Sequence, residues 1–398
     1  MRPQTPAPTP DANREPLVNH MKQLILIAFA CLTCGSARAN RDEYVTCGRE
    51  TLAAIDRSFR LPDGSLYAEE IAVDKPNRRG PAMMWSCGVQ LSALAAAARM
   101  DLRTYGPELN RFVKALDVYR RQYKGIDGYD VLPAPKPPDR YYDDNEWMAL
   151  ALLDAFEATH DRDYLARAEK AFAFVLSGED DNLGGGIYWR ETDRTTKNAC
   201  SNGPAATAAL RLFRATKKPE YRAIGIRLYE WTNAHLQDAD GLFFDHVGID
   251  GKLDRTKFSY NSALMIQANC ELLAITANPK YLREARRIAL ASESRWFHPD
   301  TGAVEDDGAF AHLLLNSFLA LHDRDHDPHW LDVVRKALAC LHVRVRDSRG
   351  FYPKRWDTFP TKPLEKVRLL DLASAARAYW SAARYFGQLP VRKRSEER

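Results

Sequence analysis

The chain has 398 residues, of which 57 are basic and 53 acidic, for a formal net charge of +4. Residues 1–39 hold four of the basic and two of the acidic side chains, so the remainder carries only +2. That balance argues against a nucleic-acid binder, which concentrates positive charge on one face, and the composition gives no sign of disorder, collagen or a coiled coil.

The first element is an export signal. Residues 21–39 read MKQLILIAFACLTCGSARA: a Lys after a Met, an apolar run from Leu24 to Leu32, and a small-x-small ending at Ala37-Arg38-Ala39. This is the pattern of a secretory signal peptide, too short to span a bilayer as a mature helix. The Pro-rich stretch before it is an extended n-region or marks Met21 as the true start. A lipoprotein reading through Cys34 is poorer, because Thr33 stands where a smaller residue is expected. Residues 40–398 are expected to form one exported domain, periplasmic or extracellular and monomeric. It keeps five cysteines, Cys47, Cys87, Cys200, Cys270 and Cys340. They form no CxxC and suggest no zinc site. Export permits a disulfide, but Cys270 and Cys340 sit in apolar helical runs and read as buried thiols.

Beyond residue 40 the apolar period is helical almost throughout. It predicts twelve helices, over about 43–59, 82–103, 108–124, 143–160, 163–177, 200–216, 219–237, 258–277, 279–296, 307–323, 327–345 and 366–386. Short turns follow the even helices through the tenth, as in HDRD and TKKPE, and long loops precede all six. Entries after the short turns repeat: RDYLARAEKAF, PEYRAIGIRLY, PKYLREARRIA, PHWLDVVRKAL. So do the long loops, as DGSLY, DGYDVL, GGGIYW, DGLFFDHV, TGAVED and RGFYPKRW, each with a Gly and most with residues suited to a short strand. The even helices are apolar nearly all round, as a buried helix must be. Six such hairpins make an all-α fold, a closed (α/α)6 toroid with the even helices inside. All six long loops then share one face, at the inner N-termini, where function tends to sit.

That face carries carboxylates, amides and aromatics, with no histidine pair, nucleophile motif or phosphate loop. No metal or cofactor is expected; a calcium on Asp180 and Asp181 has nothing further to support it. Carboxylates beside aromatic platforms suit sugars. Trp85, Trp147, Trp189 and Tyr260 are candidate stacking residues, with Tyr142 beside them. In YYDDNEW, Asp143-x-x-Glu146 fits a capping box. That reading accounts for one aspartate, but it does not need Asp144. The sharper reading is glycoside hydrolysis by two carboxyl groups, one protonating the leaving oxygen and one attacking or activating water. Asp306-Asp307 is the rival pair.

The stretch YYDDNEWMALALLDAFEATHDRDYL, followed in order by GGGIYW, TTKNACSN and KFSYN, resembles glycoside hydrolase family 76, the endo-α-1,6-mannanases. The resemblance spans about residues 43–386. It implies an (α/α)6 barrel and a retaining hydrolase of α-1,6-linked mannose chains acting on a poly- or oligosaccharide. It also implies Asp143 as nucleophile, Asp144 as acid/base, and Trp189, Asn198, Asn202, Tyr260 and Asn261 along the groove, with Asp307 a further addition. The chain departs from the family pattern at Glu146 and Met148, and again at Ser262 and Ala263. Three other readings remain open here. One is a transglycosidase or a hydrolase of another α-linked glycan. A second is another toroid enzyme, such as an epimerase, for which only His312 is well placed, or a glucuronyl hydrolase. The third is an inactive glycan-binding protein.

Overall fold

Twelve α-helices occupy the described residues of the computed structural model, 41–78 and 80–386. The expected signal segment 21–39 lies outside them. The helices are α1 (Arg41–Phe59), α2 (Met84–Met100), α3 (Leu102–Ala115), α4 (Tyr142–Thr159), α5 (Arg162–Leu176) and α6 (Ala199–Thr216), then α7 (Pro219–Leu236), α8 (Ser259–Thr276), α9 (Pro279–Trp296), α10 (Gly308–Asp325), α11 (Pro328–Cys340) and α12 (Leu369–Ala383). The even helices form a ring. α2 packs on α4, α4 on α6, α6 on α8, α8 on α10, α10 on α12, and α12 returns to α2. Each odd helix backs one of them, and α1 covers α12, so the first and last helices close the ring as its sixth pair. The even helices are the more apolar because they are covered by neighbours on both flanks as well as from behind.

The short turns share one design. α4, α6, α8 and α10 each stop at a residue in the left-handed region, His160, Lys217, Ala277 and His326. The N–H of that residue donates to the carbonyl four back, at 2.7–2.9 Å. A side-chain cap, Asp161, Asn278 or Asp327, then starts the next outer helix at three of the four turns, with Pro first in α9 and α11; α7 also opens on Pro219.

The long loops carry small antiparallel sheets. β2 (Arg120–Tyr123) pairs with β3 (Ile126–Tyr129). β4 (Tyr188–Arg190), β5 (Asp193–Asn198), β6 (His246–Gly248) and β7 (Leu253–Asp254) form a four-stranded sheet in that order. β1 (Glu70–Ala72) pairs with β8 (Lys366–Arg368), tying the first long loop to the last across the closing seam. Two expected helix bounds are corrected here. The third helix does not cover 108–124. It starts at Leu102, where the Asp101 side chain accepts the Thr104 N–H at 3.1 Å. It ends early because Lys124 and Gly125, both at positive φ, turn the chain into the β2–β3 hairpin. The last helix starts at Leu369 rather than 366, because Lys366–Arg368 is committed to β1. All five cysteines of the described chain are buried free thiols.

Candidate active site

The carboxylate pair stands on the first turn of α4, which starts and ends one residue earlier than its pattern suggests. Tyr141 is the N-cap and makes no side-chain cap. The expected capping box is therefore absent: Asp143 lies inside the helix, and both oxygens of Glu146 are buried without a partner. Asp143 instead accepts two hydrogen bonds, one on each oxygen. The Asp144 N–H reaches Oδ1 at 3.0 Å and the Trp189 indole N–H reaches Oδ2 at 3.0 Å. Burial pushes its carboxyl up to about 6; the indole, the backbone N–H and the Cys200 thiol pull the other way.

Asp144 differs. Among the described residues no donor reaches its carboxyl. Burial first, then the charges of Asp143, Asp139 and Glu69, hold its pKa well above the ordinary value. The ionised form is thus favoured at Asp143 and the protonated form at Asp144. Two carboxyls so divided can supply a nucleophile and a proton donor at one pH.

An aromatic floor runs beside the pair. Trp85 stacks over Phe310 with ring centres 5.8 Å apart, and Phe310 stacks on Tyr260 at 4.3 Å. Tyr260 stands 6.3 Å from Trp147. Trp189, 40% exposed, is the open platform, set edge-on to Tyr141 at 5.0 Å. Asn198 is almost buried at the start of α6 and accepts the Thr196 hydroxyl at 2.8 Å. The amide of Asn261, fully buried, has no partner among the described residues.

Two expected binding residues are placed elsewhere. Tyr142 is fully buried, its ring stacked on Phe174 at 5.0 Å and its hydroxyl accepting from Arg194 at 3.2 Å. Successive helix residues splay by about 100°, so Tyr142 turns outward while its neighbours face the groove. Asn202 is also fully buried and holds backbone: its amide accepts the Ile187 N–H at 2.7 Å and donates to the Ile187 and Asn198 carbonyls at 2.9 Å. Asn145 does the same to Tyr129 and Tyr141 from α4.

The rival pair is engaged. Asp306 accepts the N–H groups of Ser259 and Asp307 at 3.0 and 2.8 Å. Asp307 caps α10 through the Ala309 N–H and lies 3.4 Å from Lys354 and 3.7 Å from Arg368. Asp180 pairs with Lys197, whose ammonium reaches four oxygens of that loop at 2.6–3.3 Å. A lysine thus occupies the place in that loop where a cation would sit. Asp245, His246 and Asp254 are the one group among the described residues close enough to share a metal ion. The His246 imidazole already lies 2.8 Å from Asp245 and Asp254 accepts the Thr256 N–H at 2.9 Å.

Three participants carry no sequence signal of their own. Glu69, whose oxygens accept the Met83 N–H and the Ser86 hydroxyl at 2.9 Å, adds to the field at Asp144. Phe310 joins the aromatic floor, and Cys200 touches both Asp143 and Tyr260. Their only mark in the sequence is position, on a long loop or the first turn of an inner helix.

Comparison with known proteins gives a consistent set of relatives. The sequence profile of glycosyl hydrolase family 76 matches residues 71–321. The chain is similar to the family-76 α-mannanase BT2949 of Bacteroides thetaiotaomicron, with 33% identity and a TM-score of 0.83, over 87% of this chain and 97% of that one. It is 27% identical over 307 residues to the meiotically up-regulated gene 191 protein of Schizosaccharomyces pombe, covering 69% of this chain and 67% of the relative. It is 25% identical over 189 residues to the mannan endo-1,6-α-mannosidase DCW1 of Candida glabrata, covering 43% of this chain and 42% of that protein.

Proposed function

The chain belongs to glycosyl hydrolase family 76 and is a glycoside hydrolase, and from that premise we propose that it cleaves α-1,6-mannosidic bonds within mannan-type glycans with retention of configuration. The observation that carries the reading is the asymmetry of the pair, donors on Asp143 and none on Asp144. Asp143 attacks the anomeric carbon as the carboxylate. Asp144 passes its proton to the departing glycosidic oxygen, and a glycosyl ester forms on Asp143. Water then enters with Asp144, now ionised, taking its proton, and attacks the same carbon. The ester bond breaks, Asp143 leaves as carboxylate, and two inversions give net retention. Trp189 serves both steps, as a platform for a sugar face and as the indole donor that steadies the negative charge of Asp143. The similarity to mannan endo-1,6-α-mannosidase DCW1 supports the linkage, and the α-mannanase BT2949 supports the sugar.

We place the enzyme in the periplasm or outside the cell, acting as a monomer. The sequence of residues 21–39 supports export. No described helix is long and apolar enough to cross a membrane.

The test is time-resolved NMR of residues 40–398 acting on an α-1,6-mannan backbone, beside Asp143→Asn and Asp144→Asn. New reducing ends should appear first as the α-anomer, with both variants slower by about 10²–10⁴-fold. First-formed β-anomers would rule out retention; no new ends at all would rule out the mannanase reading.

A further inference from the structure

A cavity of about 370 Å³ lies at the opposite end of the ring from the carboxylate pair, where side chains from the C-terminal halves of all six inner helices converge. Its chemistry is the reverse of the front face. Six arginines and four carboxylates line it, an excess of two positive charges.

Most of the ion pairs at the rim are one to one. Arg99 meets Glu157 at 2.8 Å, Arg214 meets Glu271 at 2.8 Å, and Arg384 meets Asp323 at 2.7 Å. The floor is not balanced in this way. Arg211 and Arg377, with side chains 12% and 14% exposed, share one carboxylate, Asp154, at 2.8 and 3.3 Å. Arg211 also reaches Glu157 at 2.9 Å, which Arg99 already holds. Arg324 makes no ion pair among the described residues, and its buried Nε has no partner. About two turns earlier on α10, the Asn316 amide has both polar atoms buried and unpartnered among the described residues.

Buried guanidinium groups are costly unless a counter-charge and hydrogen bonds offset their desolvation. The inner-helix C-termini supply some negative potential, but that effect fades within a turn. Two charges and a set of buried donors are left over. Guanidinium forks match phosphate oxygens in geometry as well as charge. The volume lies in the range of small-molecule sites, and the amides of Gln267 and Asn316 could hydrogen-bond hydroxyls.

We propose that this rear cavity binds a small dianion bearing a phosphate group, either free or carried on a sugar. The front groove is unsuited to it, since the carboxylates of Asp143 and Glu69 would repel it there.

Titration calorimetry on the full chain at about pH 7.5, where phosphate monoesters are largely dianionic, tests this with inorganic phosphate, glucose 6-phosphate and glucose. At least one phosphate probe should bind saturably at one site, and glucose should not. The binding should survive Asp144→Asn and weaken about tenfold or more in Arg324→Gln. Tighter binding of glucose 6-phosphate identifies a sugar-borne phosphate; tighter binding of inorganic phosphate identifies the free anion. Hydrolysis by Arg324→Gln should match the parent, which verifies its fold, and Asn316→Ala provides a second, uncharged probe of the same wall. Absence of saturable binding by either phosphate overturns the proposal. So does saturable binding that Arg324→Gln leaves intact.

Discussion

Asp143 and Asp144 are neighbours in one helical turn, yet they meet different surroundings. One receives an indole and a backbone N–H; the other receives only burial and like charge. Because the two groups interact, the protons leave in steps that belong to the pair. Burial pushes the Asp143 carboxyl up to about 6. Activity needs Asp143 ionised, so kcat/KM should fall as pH drops through about 6. It should fall again on the alkaline side, as Asp144 loses the proton it must donate. Trp189→Phe removes a donor that favours the Asp143 carboxylate, so the acidic limb should move to higher pH. An acidic limb that stays in place in Trp189→Phe would show that the indole only packs against sugar.

Legibility in the sequence also divides at this scale. The aspartate pair and Trp189 stood out in their motifs. Tyr142, in the same stretch as the pair, and Asn202, in TTKNACSN, are turned away from the groove, because adjacency in sequence does not tell which side of a helix a residue faces. Glu69 and Phe310 were missed because they reach the site only through the fold.

At the scale of the element, each inner helix is aimed by its loop. Asn145 and Asn202 occupy corresponding positions on α4 and α6, and each clamps both the N–H and the carbonyl of a residue in the incoming loop, Tyr129 or Ile187. Ser262 makes one such bond to the Phe243 N–H at 3.3 Å from α8. The clamp fixes the loop against the first helical turn, where the carboxylates and aromatics stand. Asn145→Ala or Asn202→Ala should destabilise the protein by about 2–3 kcal/mol, since each leaves buried backbone groups unpaired. Urea unfolding reads this directly, and a midpoint equal to the parent's in either variant would refute the clamp. The resemblance implied Asn202 as a groove residue, and an amide can bind a sugar hydroxyl or backbone equally well. Burial decides between the two, and burial is not written in a local motif.

The whole molecule depends on closing the ring. α1 and α12 come from opposite ends of the chain and meet at Gly48, where a Cβ would lie 2.7 Å from the Trp380 indole nitrogen. Gly48→Ala should therefore overpack the seam and cost about 1–3 kcal/mol. An unchanged urea midpoint would show that Trp380 yields freely. The seam also joins β1 to β8, so loosening it disturbs the loop that carries Glu69. Closure creates both ends of the ring, gathering six helix N-termini around the carboxylates and six C-terminal ends around the arginines.

The sequence alone determined the twelve helices, their inner and outer roles, the repeat, the shared loop face and the aspartate pair. These follow from periodicity, turn chemistry and order along the chain, which are local properties. Only the tertiary structure decided which motif residues face the groove, which of the two aspartates is supplied with donors, and what gathers at the rear. Those outcomes depend on burial and on approach between residues far apart in the chain, 46 positions for Trp189 and Asp143 and 332 for Trp380 and Gly48. Desolvation and long-range contact are properties of the closed ring, and no segment possesses them before it closes.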